Sequence, residues 1–360
     1  MEIPQTRITW KTVLFPVAGI AAFFIYIYLF QVDIAGIINT LQIINPLPYG
    51  LAAVLSVLEI LFFSVSWRVL ADFLKIRLSI MRSYLFVWYG IFVDTIVPAE
   101  SVSGELVRMY LITKEQGNSK CGPAMASLVT HRFLGMGMNV AVLLTGISFL
   151  VTGGQTQLSG LIFNSILLVA LGISAVLIAL IVLSFKEKWT AKLVDWAIRA
   201  ARFVSFGRWN LKQLKDNAHQ ITQGFHLSMK EFKNKPKPVL ASLFYLIVTW
   251  VFSLCIQYLV FMSLGVSVSW SMITITAAIV LAVKSIPVGV PFEVGIPEAT
   301  MTTLYMAFSI DPAVAATATI LSRLLTLWLR FFIGFGAQQY LTLRPFADSH
   351  STKAMLDCKP

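Results

Sequence analysis

The sequence predicts an all-α polytopic membrane protein with six transmembrane helices plus two re-entrant helical hairpins in an inverted-topology repeat. Three observations carry this reading. The 360 residues are 57% hydrophobic and only 12% charged, where a soluble domain is about a quarter charged. Apolar runs near the roughly 20 residues needed to cross a hydrocarbon core recur along the chain. Lysine and arginine alternate between the loops that join these runs. Such long runs, with a mean hydropathy of +0.78, exclude a soluble bundle, whose core helices are shorter and amphipathic.

The first run, 12–30, follows Arg7 and Lys11. It is long for a signal-peptide core and lacks a small-x-small cleavage site, so it reads as a retained anchor helix. Further runs lie at 47–67, 122–150, 160–184, 238–262 and 313–341. Two more apolar stretches are broken: 83–113 at "IVPAESVSGE" and 270–309 at "IPVGVPFEVGIPEA". The 68–82 loop holds Arg68, Lys75, Arg77 and Arg82; the 185–237 loop holds twelve Lys or Arg against four acids; the tail holds Arg344, Lys353 and Lys359. The loops 31–46, 151–160, 263–269 and 310–312 hold no Lys or Arg. This bias alternates cleanly with both termini cytoplasmic, in the cell membrane, and each broken stretch returning to its own side. The first hairpin then enters from the cytoplasm and the second from outside. Eight full spans are the alternative, but halves of about 12–16 residues are short for crossing.

This order exposes a repeat within a single domain, 1–345, followed by a tail at 346–360. Span, broken hairpin, span occurs at 47–150 and again at 238–341, offset by 191 residues. Gly104 then falls on Gly295 and Arg132 on Arg323, and "ASLVTHRFL" (126–134) parallels "ATILSRLL" (318–325). The copies begin on opposite sides, a transporter signature that places the site near the midplane where the repeats meet. Between them, Lys188, Lys192, Asp195, Arg199 and Arg202 recur every three or four residues, with Trp189, Leu193, Trp196 and Phe203 opposite. The 185–237 segment thus reads as basic, amphipathic and cytoplasmic, suited to anionic lipid headgroups or serving simply as a positive-inside determinant. The net charge of +11 sits largely there, which argues against a nucleic-acid partner.

Ionisable groups at membrane depth are functional candidates by default. The first half has Asp94, Glu105, Arg108, His131 and Arg132; the second has Lys284, Glu293, Glu298, Arg323 and Arg330. Glu105 and Arg108 share a helix face, and Ser101 or Ser103 is placed to cap that half-helix. Its N-terminus then suits an anion such as a phosphodiester. A second half-helix starts near Pro297, with Glu298 in its first turn. The breaks are made by Pro98 and Gly104 in one hairpin and by Pro287, Gly289, Pro291 and Gly295 in the other. Broken backbone at this depth implies a polar cavity or a protein lining. Arg132 with Glu105, and Arg323 with Glu298, also fit a structural pairing. Arg68 reads as snorkelling, and Arg330 as snorkelling or lining the cavity.

No Walker loop, HExxH or GxSxG is present, so neither an enzyme nor a cofactor is expected. Cys121, Cys255 and Cys358 are too scattered for a disulfide framework or a zinc site, and no metal is expected. With no element for nucleotide hydrolysis, uphill transport needs an ion gradient or a partner.

At these residues the sequence resembles the transmembrane flippase domain of lysylphosphatidylglycerol synthetases and the stand-alone membrane proteins that share it. Pro98, Gly104, Glu105, Arg108 and His131-Arg132 carry the first motif. Pro287, Pro291, Phe292-Glu293, Gly295 and Glu298, with Arg323, carry the second. The likeness covers about 10–345. Two departures stand out: His131 replaces a usual acid, and Phe292-Glu293 replaces a Gly-Gly pair. About 20 residues follow the last span, so a stand-alone member without the synthetase domain is expected. The resemblance implies translocation of a polar-headed, phosphate-bearing lipid between leaflets, as a flippase or scramblase. Membrane lipids are the expected partners, with a separate lipid-synthesising enzyme and a homodimer as further ones. The expected substrate-binding set is Glu105, Arg108, His131, Arg132, Lys284, Glu293, Glu298 and Arg323. Rival readings are an ion-coupled transporter of a small amphiphile, a membrane-embedded enzyme modifying a lipid or isoprenoid, and a scaffold.

Overall fold

Helices account for every regular element among the residues described by the computed structural model, which are 44–97, 102–152, 160–185, 211–284 and 295–343. They are α1 (Pro46–Phe73), α2 (Ile80–Ile96), α3 (Val102–Gln116), α4 (Cys121–Thr152), α5 (Gly160–Phe185), α6 (Leu211–Asn234), α7 (Lys237–Ser263), α8 (Trp270–Lys284), α9 (Ile296–Ala307), α10 (Pro312–Arg323) and α11 (Leu329–Leu343). A π-helical turn, Leu324–Trp328, joins α10 to α11. Four of these stretches are long and apolar enough to cross a membrane: Pro46–Phe73, Asn118–Phe149, Lys237–Ser263 and Pro312–Leu343. The 26-residue α5 contains no Asp, Glu, Lys or Arg. The first expected span, 12–30, the basic helix at 186–203 and the tail lie outside the described residues.

At the centre, α1 and α7 pack antiparallel. The Asn45 N–H donates to the Ser263 carbonyl at 2.9 Å at one end. Near the other, Ser66 Oγ donates to the Ser242 carbonyl at 2.8 Å. Ala52, Ser56, Ser66 and Ser242 are buried on these helices, and small residues of this kind let two membrane helices approach closely. Asn45 also starts α1, accepting the Leu47 N–H on its side chain at 3.1 Å ahead of Pro46.

Both broken stretches fold as hairpins whose two feet meet. In the first, Arg82 at the start of α2 pairs with Glu115 at the end of α3 at 2.7 Å. Gln116 accepts the Arg77 N–H at 3.2 Å and donates to its carbonyl at 2.9 Å. These feet therefore sit beside the C-terminus of α1. In the second, Phe261 of α7 and Tyr305 of α9 meet edge to face at 4.8 Å. Val266, Val268, Phe308 and Ile310 pack on the same apolar cluster. Those feet sit beside the C-terminus of α7. Because α1 and α7 are antiparallel, the hairpins rise from opposite ends of the bundle.

Each hairpin leans on the other half of the chain. A Cβ on Gly334 of α11 would lie 2.7 Å from the Trp88 carbonyl oxygen of α2. One on Gly146 of α4 would lie 2.7 Å from the Ile275 side chain of α8. Element bounds also recur at the 191-residue spacing: Gln116 and Ala307 end α3 and α9, and Cys121 and Pro312 begin the helices that follow.

The 211–234 part of the basic segment forms α6, and protein covers its apolar face. Phe225, Met229 and Phe232 are buried. Phe232 packs 5.4 Å from Phe73 of α1, and Thr130 of α4 reaches the Met229 sulfur at 3.4 Å. Lys230, Lys233 and Lys235 stay exposed. The apolar side seats this helix on the bundle at the end that holds the feet of the first hairpin.

Gly334→Ala should destabilise the protein by about 1–3 kcal/mol through overpacking against α2. Gly336→Ala, where nothing lies within 4 Å of the added carbon, should be neutral or slightly stabilising. Thermal unfolding in detergent measures both, and equal effects would contradict this packing.

Candidate functional site

A helix that starts inside a bundle has N–H groups with no intrahelical partner, and the two hairpins satisfy theirs differently. In the first, Asp94 of α2 caps α3 from outside. Its Oδ1 accepts the Gly104 N–H and the Ser103 hydroxyl, each at 2.6 Å. Of the two serines expected to cap this helix, Ser103 lies inside α3 and donates to Asp94, and Ser101 lies outside the described residues. Gly104 is needed because α2 and α3 touch there. A Cβ would fall 2.6 Å from the Gly90 carbonyl oxygen and 2.2 Å from Asp94 Oδ2.

In the second hairpin the capping group is local. Gly295 precedes α9 with φ +102° and ψ −61°, a conformation open to glycine and costly for other residues. Its N–H donates to Glu298 Oε2 at 2.7 Å, the return half of a capping box. Pro297 sits in the first turn, where its missing N–H is harmless.

Each of these first turns also presents a glutamate to an arginine on the next helix. Arg132 of α4 pairs with Glu105 at 3.2 Å. Arg323, the last residue of α10, pairs with Glu298 at 2.5 Å, both side chains being less than 10% exposed. A third pair joins the halves: Arg330 of α11 meets Glu59 of α1 at 2.5 Å and donates to Ser56 Oγ at 3.3 Å. Ser56 in turn donates to the Leu325 carbonyl at 3.2 Å, inside the π-helical turn, whose widened spacing leaves carbonyls available. Arg330 is thus paired inside the bundle and does not snorkel. Arg68 holds the end of α1, donating to the Leu78 carbonyl at 2.6 Å and pairing with Asp72 at 3.1 Å.

One face of α1 connects these groups. Tyr49 donates to the Leu321 carbonyl at 3.2 Å, and Glu59 holds Arg330. Phe63 meets His131 edge to face at 4.6 Å, and the Trp67 ring lies under Arg108 at 5.2 Å. Trp67 Nε1 donates to Ser127 Oγ at 3.2 Å, one turn before His131 on α4. Beside Arg323, Gln257 Oε1 accepts from Ser322 at 2.8 Å and from Tyr305 at 3.3 Å.

Of the expected site residues, Glu105, Arg108, His131 and Arg132 therefore gather around the tip of the first hairpin. Glu298 and Arg323 gather at the second. Lys284 ends α8. Pro98, Pro287, Gly289, Pro291, Phe292 and Glu293 lie outside the described residues. Glu59 and Ser56 were missed as site residues, and Asp94, a candidate by its charge at membrane depth, was not assigned its role at the start of α3.

An all-helical, multi-pass membrane protein, with charged pairs where helices begin and cross, is the class that fold and site define. The chain belongs to the family described as the lysylphosphatidylglycerol synthase TM region, matched over residues 13–334. It is similar to the UPF0104 membrane protein of Methanocaldococcus jannaschii, 27% identical over 334 residues, spanning 92% of this chain and 95% of that protein. A UPF0104 membrane protein of Pyrococcus horikoshii is 23% identical over 291 residues, spanning 79% and 84%. One from Methanothermobacter thermautotrophicus is 22% identical over 320 residues, spanning 88% and 90%.

Glu298→Gln should cost about 3–5 kcal/mol, because it leaves a buried arginine charge without its carboxylate. The double variant Glu298→Leu with Arg323→Met should recover most of that loss. Arg82→Gln, which breaks the half-exposed pair to Glu115, should cost less than about 1 kcal/mol. Denaturant unfolding in micelles measures all three, and additive losses at the buried pair would contradict the coupling.

Proposed function

We propose that this protein moves a polar-headed, phosphate-bearing lipid between the leaflets of the cell membrane, as a flippase or scramblase. The observation that carries the reading is the recurrence, at the tips of two hairpins rising from opposite ends, of a helix start bearing a glutamate bound to an arginine. The arms α2 and α9, of 17 and 12 residues, are short for the roughly 20 a crossing requires, which supports re-entrant hairpins. The recurrence of element bounds at 191 residues supports an inverted repeat, and inverted repeats with broken helices place substrates at the midplane. The family, named for the membrane region of a lipid synthase, supports a lipid substrate.

In this mechanism the tips meet the headgroup while the acyl chains stay in lipid. Glu105 and Glu298 hold Arg132 and Arg323 and so keep the tips in place. Rocking of the two halves about the α1–α7 contact changes which leaflet the site faces. Both termini are cytoplasmic, and the exposed lysines of α6 meet anionic headgroups there. The protein acts without its own covalent chemistry, and a separate enzyme makes the lipid.

The test is reconstitution into vesicles containing headgroup-labelled lipids, with dithionite quenching of the outer leaflet. The protein should raise the rate of exchange at least tenfold over protein-free vesicles for one or more phosphate-bearing lipids. Transfer no faster than in empty vesicles, across anionic, zwitterionic and sugar headgroups, would contradict the proposal.

A further inference from the structure

We propose that Arg108 is the phosphate ligand of the first hairpin, binding a phosphodiester oxygen of a lipid headgroup through Nη1, with His131 Nε2 as a second polar contact. This rests on the lipid-translocation reading and narrows it to one half of the molecule.

Four arginines at the two hairpin tips and the α1–α11 crossing are wholly or partly buried. Arg132, Arg323 and Arg330 each hold a glutamate. Arg108 is 6% exposed and has no carboxylate oxygen within 4.0 Å among the described residues. Its Nε donates only to the Gly104 carbonyl, at a long 3.4 Å. The Trp67 ring supports the guanidinium, and Nη1 has no hydrogen-bond partner. Asp94 is nearby on α2, but its Oδ1 is committed to the start of α3.

A buried cation with an unmet N–H is costly to keep. Such costs collect at functional sites, and a guanidinium fork suits phosphate oxygens. His131 is 4% exposed, and its Nε2 is likewise without a partner. Phe63 and Trp67, one turn apart on α1, hold His131 and Arg108 respectively, so both unmet nitrogens belong to side chains seated on one face. At the corresponding positions 191 residues on, Ala299 stands for Arg108 and Ser322 for His131. The Arg108–His131 site therefore belongs to the first hairpin, and at the second hairpin Arg323 is held by Glu298.

Arg108→Gln and the control Arg82→Gln, both in the full chain, test this with two readouts. In detergent, dihexanoyl-phosphatidylglycerol should raise the melting temperature of the unsubstituted protein and of Arg82→Gln. Its apparent affinity should fall at least tenfold in Arg108→Gln. Unliganded Arg108→Gln should melt at or above the unsubstituted protein. Equal affinity in Arg108→Gln would overturn the assignment, as would a variant that melts well below the parent. An equal shift from sodium phosphate would assign the site to free phosphate and overturn its lipid part.

In vesicles, Arg108→Gln should slow labelled phosphatidylglycerol at least tenfold and leave labelled glucosylceramide, which has no phosphate, unchanged. Equal slowing of both would overturn the assignment. If the unsubstituted protein moves no lipid, the translocation reading fails, while the detergent affinities still decide Arg108.

Discussion

A helix that begins inside a packed bundle must find partners for its first N–H groups within the protein. Carboxylates meet that demand in both halves of this chain. Asp94 reaches across from α2 to the start of α3, and Glu298 folds back onto the Gly295 N–H of its own helix. Once the tips are fixed by carboxylates, cations nearby are required to balance them. Arg323 binds the capping glutamate itself. Arg132 binds Glu105, a neighbour of the capped turn. The two tips are thus chemically alike and structurally unequal.

The antiparallel contact of α1 and α7 gives these tips their opposed directions. It places the feet of one hairpin beside the end of α1 and the feet of the other beside the end of α7. The cross-packing of α2 on α11 and of α8 on α4 ties each hairpin to the other half, through close approaches that Gly334 and Gly146 permit. The Glu59–Arg330 pair and the π-helical turn lie at this crossing. They form a polar contact between the halves in a setting where dispersion and hydrogen bonds, more than hydrophobicity, hold helices together.

Much of this was legible in the sequence, and the limits have physical causes. The long apolar runs, the two breaks and the common spacing of Gly104–Arg132 and Gly295–Arg323 are one-dimensional signals, and they fixed the helical plan and the pairs Glu105–Arg132 and Glu298–Arg323. Asp94 as the cap of α3 was not legible, because capping is normally sought in the residue just before a helix, and here it comes from the preceding one. The partner of Arg330 was missed because Glu59 lies 271 residues away in the chain and has no counterpart under the repeat, where position 250 is Trp. The docking of α6 was hidden for a similar reason. An amphipathic face looks the same in sequence whether lipid or protein covers it, and only the packing of Phe232 on Phe73 decides.

The central claim is that the two hairpins stand on opposite sides of the membrane. Ser119 lies at the foot of the first and Ser267 at the foot of the second, and both are exposed. Single cysteines at these positions, in a background lacking Cys121, Cys255 and Cys358, can be labelled in intact and in inverted vesicles with a membrane-impermeant maleimide. The account predicts that Ser119→Cys reacts only from the cytoplasmic face and Ser267→Cys only from the opposite face. Labelling of both from one face would contradict it.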